Sequence, residues 1–412
     1  MNHRWSYFLS LPCWLGRWLL IAVITGLPIG TASAFFLMAL DWATGTRQLH
    51  PQLVWALPIA GLIVGWCFLR FGNRVERGNN LILDEIHKPR ATIPFRMMPM
   101  VLVGTVISHL FGASVGREGT AIQMGGAIAD QWAYRLRLDG ETRRILLVMG
   151  ISAGFASVFG TPLAGTVFGL EVLAIGAIRY DALFPCMAAA LIAHATCLLW
   201  GAHHTHYPTA EVPSLSLIPV VTAAFAGILF GLVARLFSWL TRQISVLLGK
   251  LIPWPPLRPF IGGAIIALLV MDIAGLDRYI GLGVPVIESA LRAPVPLFDA
   301  LGKLGFTALS LGSGFKGGEV TPLFYIGTTF GNALAQLLHQ PVPLLASIGF
   351  VAVFAGAANT PLASTLMAIE LFGPAIAPYA LIACIISYLF SGPKGIYTAQ
   401  RIESPKWPST KC

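Results

Sequence analysis

Charge is what this chain has least of: Asp and Glu number 18 and Lys and Arg 27, together 11% of 412 residues. Soluble chains carry about 25%. With 56% of residues hydrophobic, the shortage excludes the two or three water-soluble domains that the length alone would suggest. The six cysteines show no spacing of a disulfide framework or zinc site, and Cys67, Cys186, Cys197 and Cys384 lie in apolar stretches as small hydrophobes. The glycine-rich stretches lack the Lys-Ser/Thr of a phosphate-binding loop, and "DEIH" at Asp84 to His87 is not an H-E-x-x-H motif. No nucleotide, metal or other cofactor is inferred. The first residues, up to Arg17, lack a short apolar core followed by a small-residue cleavage site, so the first apolar run is expected to stay in place.

What the chain has instead is apolar runs, over 17–43, 51–70, 94–112, 118–134, 144–158, 161–178 and 182–200, then 216–246, 256–275, 297–312, 320–338, 342–357, 361–372 and 376–391. Runs of about 20 residues cross a hydrocarbon core of about 30 Å, so the expected class is an all-α polytopic membrane protein. Several runs are too short to span and are broken by Gly or Pro. Lipid tolerates such breaks only where freed backbone groups are buried in protein or line a polar cavity. The net charge of +9 is gathered in short turns, Arg70, Arg74 and Arg77, then Lys88, Arg90 and Arg96, then Arg135, Arg137, Arg143 and Arg144. That pattern marks cytoplasmic loops, and no nucleic-acid partner is inferred from it. The stretch "GAHHTHYPTAEVPSLS", Gly201 to Ser216, has no Lys or Arg and belongs outside. Its histidines have the chemistry to bind metal, yet read better as part of a solvated loop.

The chain also repeats itself. "FASVFGTPLAGTVFGLE" from Phe155 returns 199 residues later as "FAGAANTPLASTLMAIE" from Phe354. "GREGT" (Gly116 to Thr120) faces "GGEVT" (Gly317 to Thr321), and "GNNLILDEI" from Gly78 faces "GVPVIESAL" from Gly283. Three matches in one order describe a duplicated fold, an inverted repeat of two related halves with short, broken, tilted helices if the second half starts outside. The expected division is a first transmembrane repeat over 1–200, an outer linker over 201–215, a second repeat over 216–391 and a short cytoplasmic tail over 392–412. Glu171 and Glu370 recur at equivalent points, which suggests a shared structural role such as satisfying helix-end donors or shaping a subunit surface.

The chemistry concentrates in "VGREGTAIQMGG", Val115 to Gly126. Glycines just before a helix start let backbone approach a ligand, and the first turn leaves its N–H groups unpaired at the positive end of the macrodipole. This is a site for an anion. "GNNLILDE" and "GSGFKGGEVTP" repeat the design. A carboxylate there is itself a bound anion, and taking up a proton would release it and admit an external one. Glu118 is therefore expected to gate and to carry protons, since an ionisable group inside a membrane costs at least about 2.5 kcal/mol and is functional by default. Arg117 is expected to be structural. A pairing of Arg117 with Glu118 is disfavoured because adjacent helical residues do not face each other.

These stretches resemble the CLC family of anion channels and anion/proton antiporters over nearly the whole chain. "GREGT" is similar to the family's G-[KR]-E-G-P stretch, whose glutamate is the external gate. "GSGFKGGEVTP" is similar to its G-x-F-x-P region and "GTPLAGTVFGLE" to its N-x-P-L-A-G stretch, while "GIYTAQR" puts Tyr397 at the pore tyrosine. The resemblance implies a homodimer with a separate pore in each subunit. The tail after Gly392 is expected to be too short for the nucleotide-sensing domains of some larger relatives.

Departures from the family pattern refine this. Where chloride-type members carry G-S-G-I-P the chain has Gly78, Asn79, Asn80, Leu81, Ile82, and the serine contact is missing. Val320 stands at the G-x-F-x-P phenylalanine, preceded by Glu319, and Thr120 replaces the proline after the gate. Val172 follows Glu171 where proton-coupled chloride exchangers have a second glutamate. The combination resembles the fluoride-exporting branch, which exchanges fluoride for protons, and implies a bacterial inner-membrane protein with both termini cytoplasmic. Fluoride is small and strongly hydrated, so its site must replace water with strong donors. Gly116 and Gly119 backbone, Asn79 or Asn80, Thr321 and Tyr397 can supply them. Glu319 is either a second proton- or fluoride-linked carboxylate or a buried structural group. The rival is a chloride channel or chloride/proton exchanger of the same fold. An intramembrane enzyme would need clustered metal ligands or aspartate pairs, which the sequence does not offer.

Overall fold

The computed structural model describes residues 2–208 and 212–407, with side chains from Leu11 onward. Parts of the expected linker (209–211) and tail (408–412) lie outside the described residues.

Helices α1 (Asn2–Leu49), α2 (Leu57–Cys67), α3 (Asn79–His87), α4 (Met97–Phe111), α5 (Glu118–Arg135), α6 (Gly140–Phe159), α7 (Pro162–Glu171) and α8 (Leu183–Leu199) form one series. They are followed in the same order by α9 (Leu217–Leu251), α10 (Leu257–Asp272), α11 (Val284–Arg292), α12 (Asp299–Ser313), α13 (Val320–Leu338), α14 (Val342–Ala358), α15 (Pro361–Phe372) and α16 (Ala377–Phe390). Among the described residues, Leu11–Leu49, Pro51–His87, Gly140–Phe159, Tyr180–Leu199 and Leu217–Leu251 are long and apolar enough to cross a membrane. The remaining helices are shorter, and the molecule is a multi-pass membrane protein of broken helices.

Equivalent helices begin and end by equivalent means. Helices α4 and α12 stop at Gly112 (φ +94) and Gly314 (φ +105), and α6 and α14 at Gly160 (φ +85) and Asn359 (φ +59). All four are left-handed caps, cheapest for Gly and tolerated by Asn. Helices α7 and α15 start on Pro162 and Pro361, whose missing N–H costs nothing at a helix start. The expected run over 161–178 is helical only to Glu171, because β1 (Ala174–Ile175) leaves the helix to pair in parallel with β2 (Arg401–Ile402).

The two halves lock reciprocally. Glu171 accepts from the N–H groups of Leu362 (3.0 Å) and Ala363 (2.8 Å) at the start of α15. Glu370, in the last turn of α15, accepts from the N–H groups of Leu163 (3.0 Å) and Ala164 (2.8 Å) at the start of α7. Such an exchange requires a two-fold relation between the halves. It also assigns these glutamates to helix-end donors.

Cys186, Cys197 and Cys384 are buried and Cys67 half-buried, all as free thiols. Within Gly201 to Ser216, expected to be a solvated loop, His204 is packed against the protein. The His204 ring nitrogen pairs with Ser157 O at 2.8 Å and its ring lies tilted against His194 with centroids 5.2 Å apart, because the left-handed turn at Gly160 leaves a space that His204 fills.

Candidate anion site

The site stands where the two halves meet. Gly116 and Gly318 exchange an antiparallel pair of backbone hydrogen bonds, and just beyond each glycine a helix begins, α5 at Glu118 and α13 at Val320. Two positive helix ends therefore point into one space. Neither glycine has room for a side chain: a Cβ on Gly116 would lie 2.9 Å from Pro322 Cδ, and one on Gly318 2.7 Å from the Gly119 nitrogen.

Glu118 is fully buried, and its carboxylate leaves its own helix for the other half. Oε2 accepts from the Thr321 N–H at 3.1 Å, and the Thr321 hydroxyl lies 2.7 Å from Oε1 and 2.6 Å from Oε2. A first-turn amide and a hydroxyl thus hold a negative oxygen at the amino end of α13, where a small free anion would find the same two donors. Thr120, which replaces a proline in the family pattern, shares a 2.7 Å hydrogen bond with the Thr105 hydroxyl.

One expectation is corrected. Arg117 does meet Glu118: its Nε lies 3.5 Å from Oε1 and its N–H donates to Oε2 at 3.3 Å. The rule against adjacent pairs applies inside a helix, whereas Arg117 is the residue before the first turn, at φ −118. The glutamate is therefore held by groups from both halves.

A second group of polar atoms lies one step deeper. A Cβ on Gly119 would lie 3.3 Å from Asn79 Nδ2 and 3.5 Å from Glu319 Oε2. Asn79 Oδ1, Glu319 Oε2 and the Tyr397 hydroxyl are buried with no hydrogen-bond partner among the described residues. Buried polar groups are satisfied in the large majority of cases, and these three also line a single cavity of about 900 Å³. Of the remaining expected residues, Val320 is fully buried at the start of α13. Asn80 has its carbonyl oxygen engaged by the Ala399 N–H at 2.9 Å, so only its NH₂ group remains for an anion.

The same cavity is lined by Arg235, Arg242, Lys316 and Lys394, which sequence reasoning passed over. The signal was present: Arg235 and Arg242 interrupt an otherwise apolar helix. Cations around a low-dielectric cleft raise the local concentration of anions.

A family model described as voltage gated chloride channel matches residues 60–392. The chain belongs to this CLC family. A chloride/fluoride channel protein of Pseudomonas syringae pv. tomato is 57% identical over 403 residues, covering 97% of this chain and 89% of the relative. The crystal structure of a CLC-type fluoride/proton antiporter superposes with a TM-score of 0.91 at 35% identity, covering 94% of this chain and 98% of the other. A slow cyanobacterial Cl−/H+ antiporter, at 22% identity and a TM-score of 0.81, shares the CLC fold. CLC proteins transport ions, and the fold of this chain is theirs.

Proposed function

We propose that the protein is a fluoride/proton antiporter that exports fluoride from the cytoplasm as protons move in, and so confers fluoride resistance. The observation that carries this reading is the Glu118 carboxylate seated on the Thr321 N–H and hydroxyl at the start of the opposite helix. In this position the carboxylate competes with an anion for the same donors. A proton arriving from outside removes its charge and one of its acceptor sites, the side chain leaves, and fluoride takes the Thr321 donors. Loss of the proton inward returns the carboxylate and expels the anion outward. Fluoride and protons thus move in opposite directions through one seat.

The selectivity proposed here is supported by chemistry. Asn79, Tyr397, Thr321 and the first-turn amides are compact donors suited to a small anion that parts with water reluctantly. Glu319 is proposed as the inner proton- or fluoride-linked carboxylate, since Val172 occupies the position of the second glutamate in chloride exchangers. Gly116 and Gly119 admit the ion by their lack of side chains. The proposed setting is a bacterial inner membrane, with lipid around a homodimer, both termini cytoplasmic, and repeats over 1–200 and 216–391 joined by an outer linker. Purified protein in liposomes loaded with fluoride should release it and acidify the lumen in step with the release. Fluoride movement without any proton movement would overturn the antiport reading.

A chloride or fluoride channel of the same fold is the second reading, favoured by the name of the Pseudomonas relative. The reversal potential of fluoride flux in a proton gradient decides between them, because only coupled transport shifts with pH.

A further inference from the structure

Tyr397 lies beyond α16, and its buried hydroxyl has no partner to fix it. Its ring meets Phe168 edge-on with centroids 6.5 Å apart, which restrains the ring's tilt but not the hydroxyl's place along the cavity. That place must be set by the backbone on either side. Before the tyrosine, the Ile396 N–H donates to Ala357 O at 2.9 Å. After it, the Ala399 N–H donates to Asn80 Oδ1 at 2.9 Å.

Gln400 makes the most of these ties. Its Nε2 donates to Val172 O at 2.9 Å and to Ala358 O at 2.8 Å, its Oε1 accepts from Asn359 Nδ2 at 2.9 Å, and its own N–H closes a turn onto Tyr397 O at 3.2 Å. Val172 follows the last residue of α7, and Ala358 is the last of α14. Helix ends leave carbonyls without intrahelical partners. A carboxamide, with two donors and an acceptor, serves one such end from each half at once. A carboxylate would face both carbonyls without a proton, and an apolar side chain would leave them unpaired.

We infer that Gln400, braced by Asn359, is a positioning residue for Tyr397: it fixes where the tyrosine hydroxyl stands beside Asn79 and Glu319, and thereby sets anion selectivity. The inference rests on the fluoride/proton reading. A binding or reacting group displaced by about 1 Å can lose on the order of a hundred-fold in rate, so loosening this brace should be visible in transport.

The test is a double-mutant cycle in liposomes, reading the ratio of fluoride to chloride flux for wild type, Gln400→Glu, Asn359→Gly, Tyr397→Phe and the two pairs with Tyr397→Phe. Asn359→Gly keeps the left-handed backbone at φ +59 and deletes only one arm of the brace, so it remains decisive if Gln400→Glu does not fold. Expected is a roughly ten-fold loss of selectivity for Gln400→Glu, a smaller one for Asn359→Gly, and no further loss when either is added to Tyr397→Phe. Additive losses, or unchanged selectivity in folded variants, overturn the inference. A wild-type protein that carries chloride and not fluoride sinks the fluoride reading alone, and the same cycle is then read on chloride rates.

Discussion

Gly116 and Gly318 donate a backbone hydrogen bond to each other, at 2.6 and 2.8 Å, across the line where the two halves of the chain meet. The exchange leaves no space between the strands, since a Cβ on Gly116 would also lie 3.0 Å from Gly318 O. Gly116→Ala is therefore expected to push the starts of α5 and α13 apart by a few tenths of an ångström and to slow fluoride flux at least about ten-fold, because donors aimed at a small ion lose strength with distance. Flux assays on folded protein check it. Wild-type rates would show that the two helix starts need not be so close.

Glu118→Gln keeps the size of the side chain and removes the titration. Proton movement should fall to background while the protein remains folded, as read by pH change in liposomes during fluoride release. Undiminished proton pumping would remove Glu118 from the proposed mechanism.

Thr321→Val deletes the hydroxyl that lies 2.7 and 2.6 Å from the two Glu118 oxygens and leaves the N–H in place. Hydrogen bonds to charged groups contribute about 1.5–3 kcal/mol, a factor of roughly ten to a hundred in how firmly the gate sits. The expected phenotype is slippage, with more anion moved per proton, measured as a smaller shift of reversal potential for a given pH gradient.

Glu171→Ala leaves the Leu362 and Ala363 N–H groups without acceptors, and Glu370→Ala does the same at Leu163 and Ala164. Glu171 is only 6% exposed, whereas Glu370 is half-buried. Unsatisfied buried donors cost about 1–3 kcal/mol, so both variants should melt earlier in detergent and Glu171→Ala earlier than Glu370→Ala. Proton coupling in the folded fraction should be retained. Loss of coupling with unchanged melting would assign Glu171 to proton transfer instead.

At the turn before α6, Asp139 caps the helix by accepting from the Glu141 and Thr142 N–H groups, and the Thr142 hydroxyl, first among several hydrogen bonds, holds its carboxyl below the usual range. A group whose folded pKa is depressed stabilises above its unfolded pKa, and that contribution fades as pH falls through the folded value. Melting of the wild type should therefore be more acid-sensitive than that of Asp139→Asn, which keeps a capping oxygen without a charge. Equal acid sensitivity of the two would show the charge to be immaterial there.

Much of this was readable from residues alone where the pattern was strictly local. Glu118 and Val320 begin their helices at the expected residues, and Pro361–Phe372 has the expected bounds, because Gly and Pro punctuate the chain sharply there. Helices α3 and α11, nine residues each, escaped a reading by apolar runs, since they are short and two-faced. The glycine-rich entry at Gly78 pointed to the start of α3, and α11 was visible only through the repeat. The partner of Glu118 is 203 residues away, and no periodicity reports such a distance. The packed His204, whose partner Ser157 is 47 residues away, became legible only in three dimensions for the same reason.

The glutamate handshake between α7 and α15 has a mechanical consequence. Each half supplies the keystone of the other, so neither can swing outward without baring the amide groups it now covers, at about 1–3 kcal/mol for each donor left unpaired. The lacing thus sets a toll on parting the halves that a turning side chain does not meet.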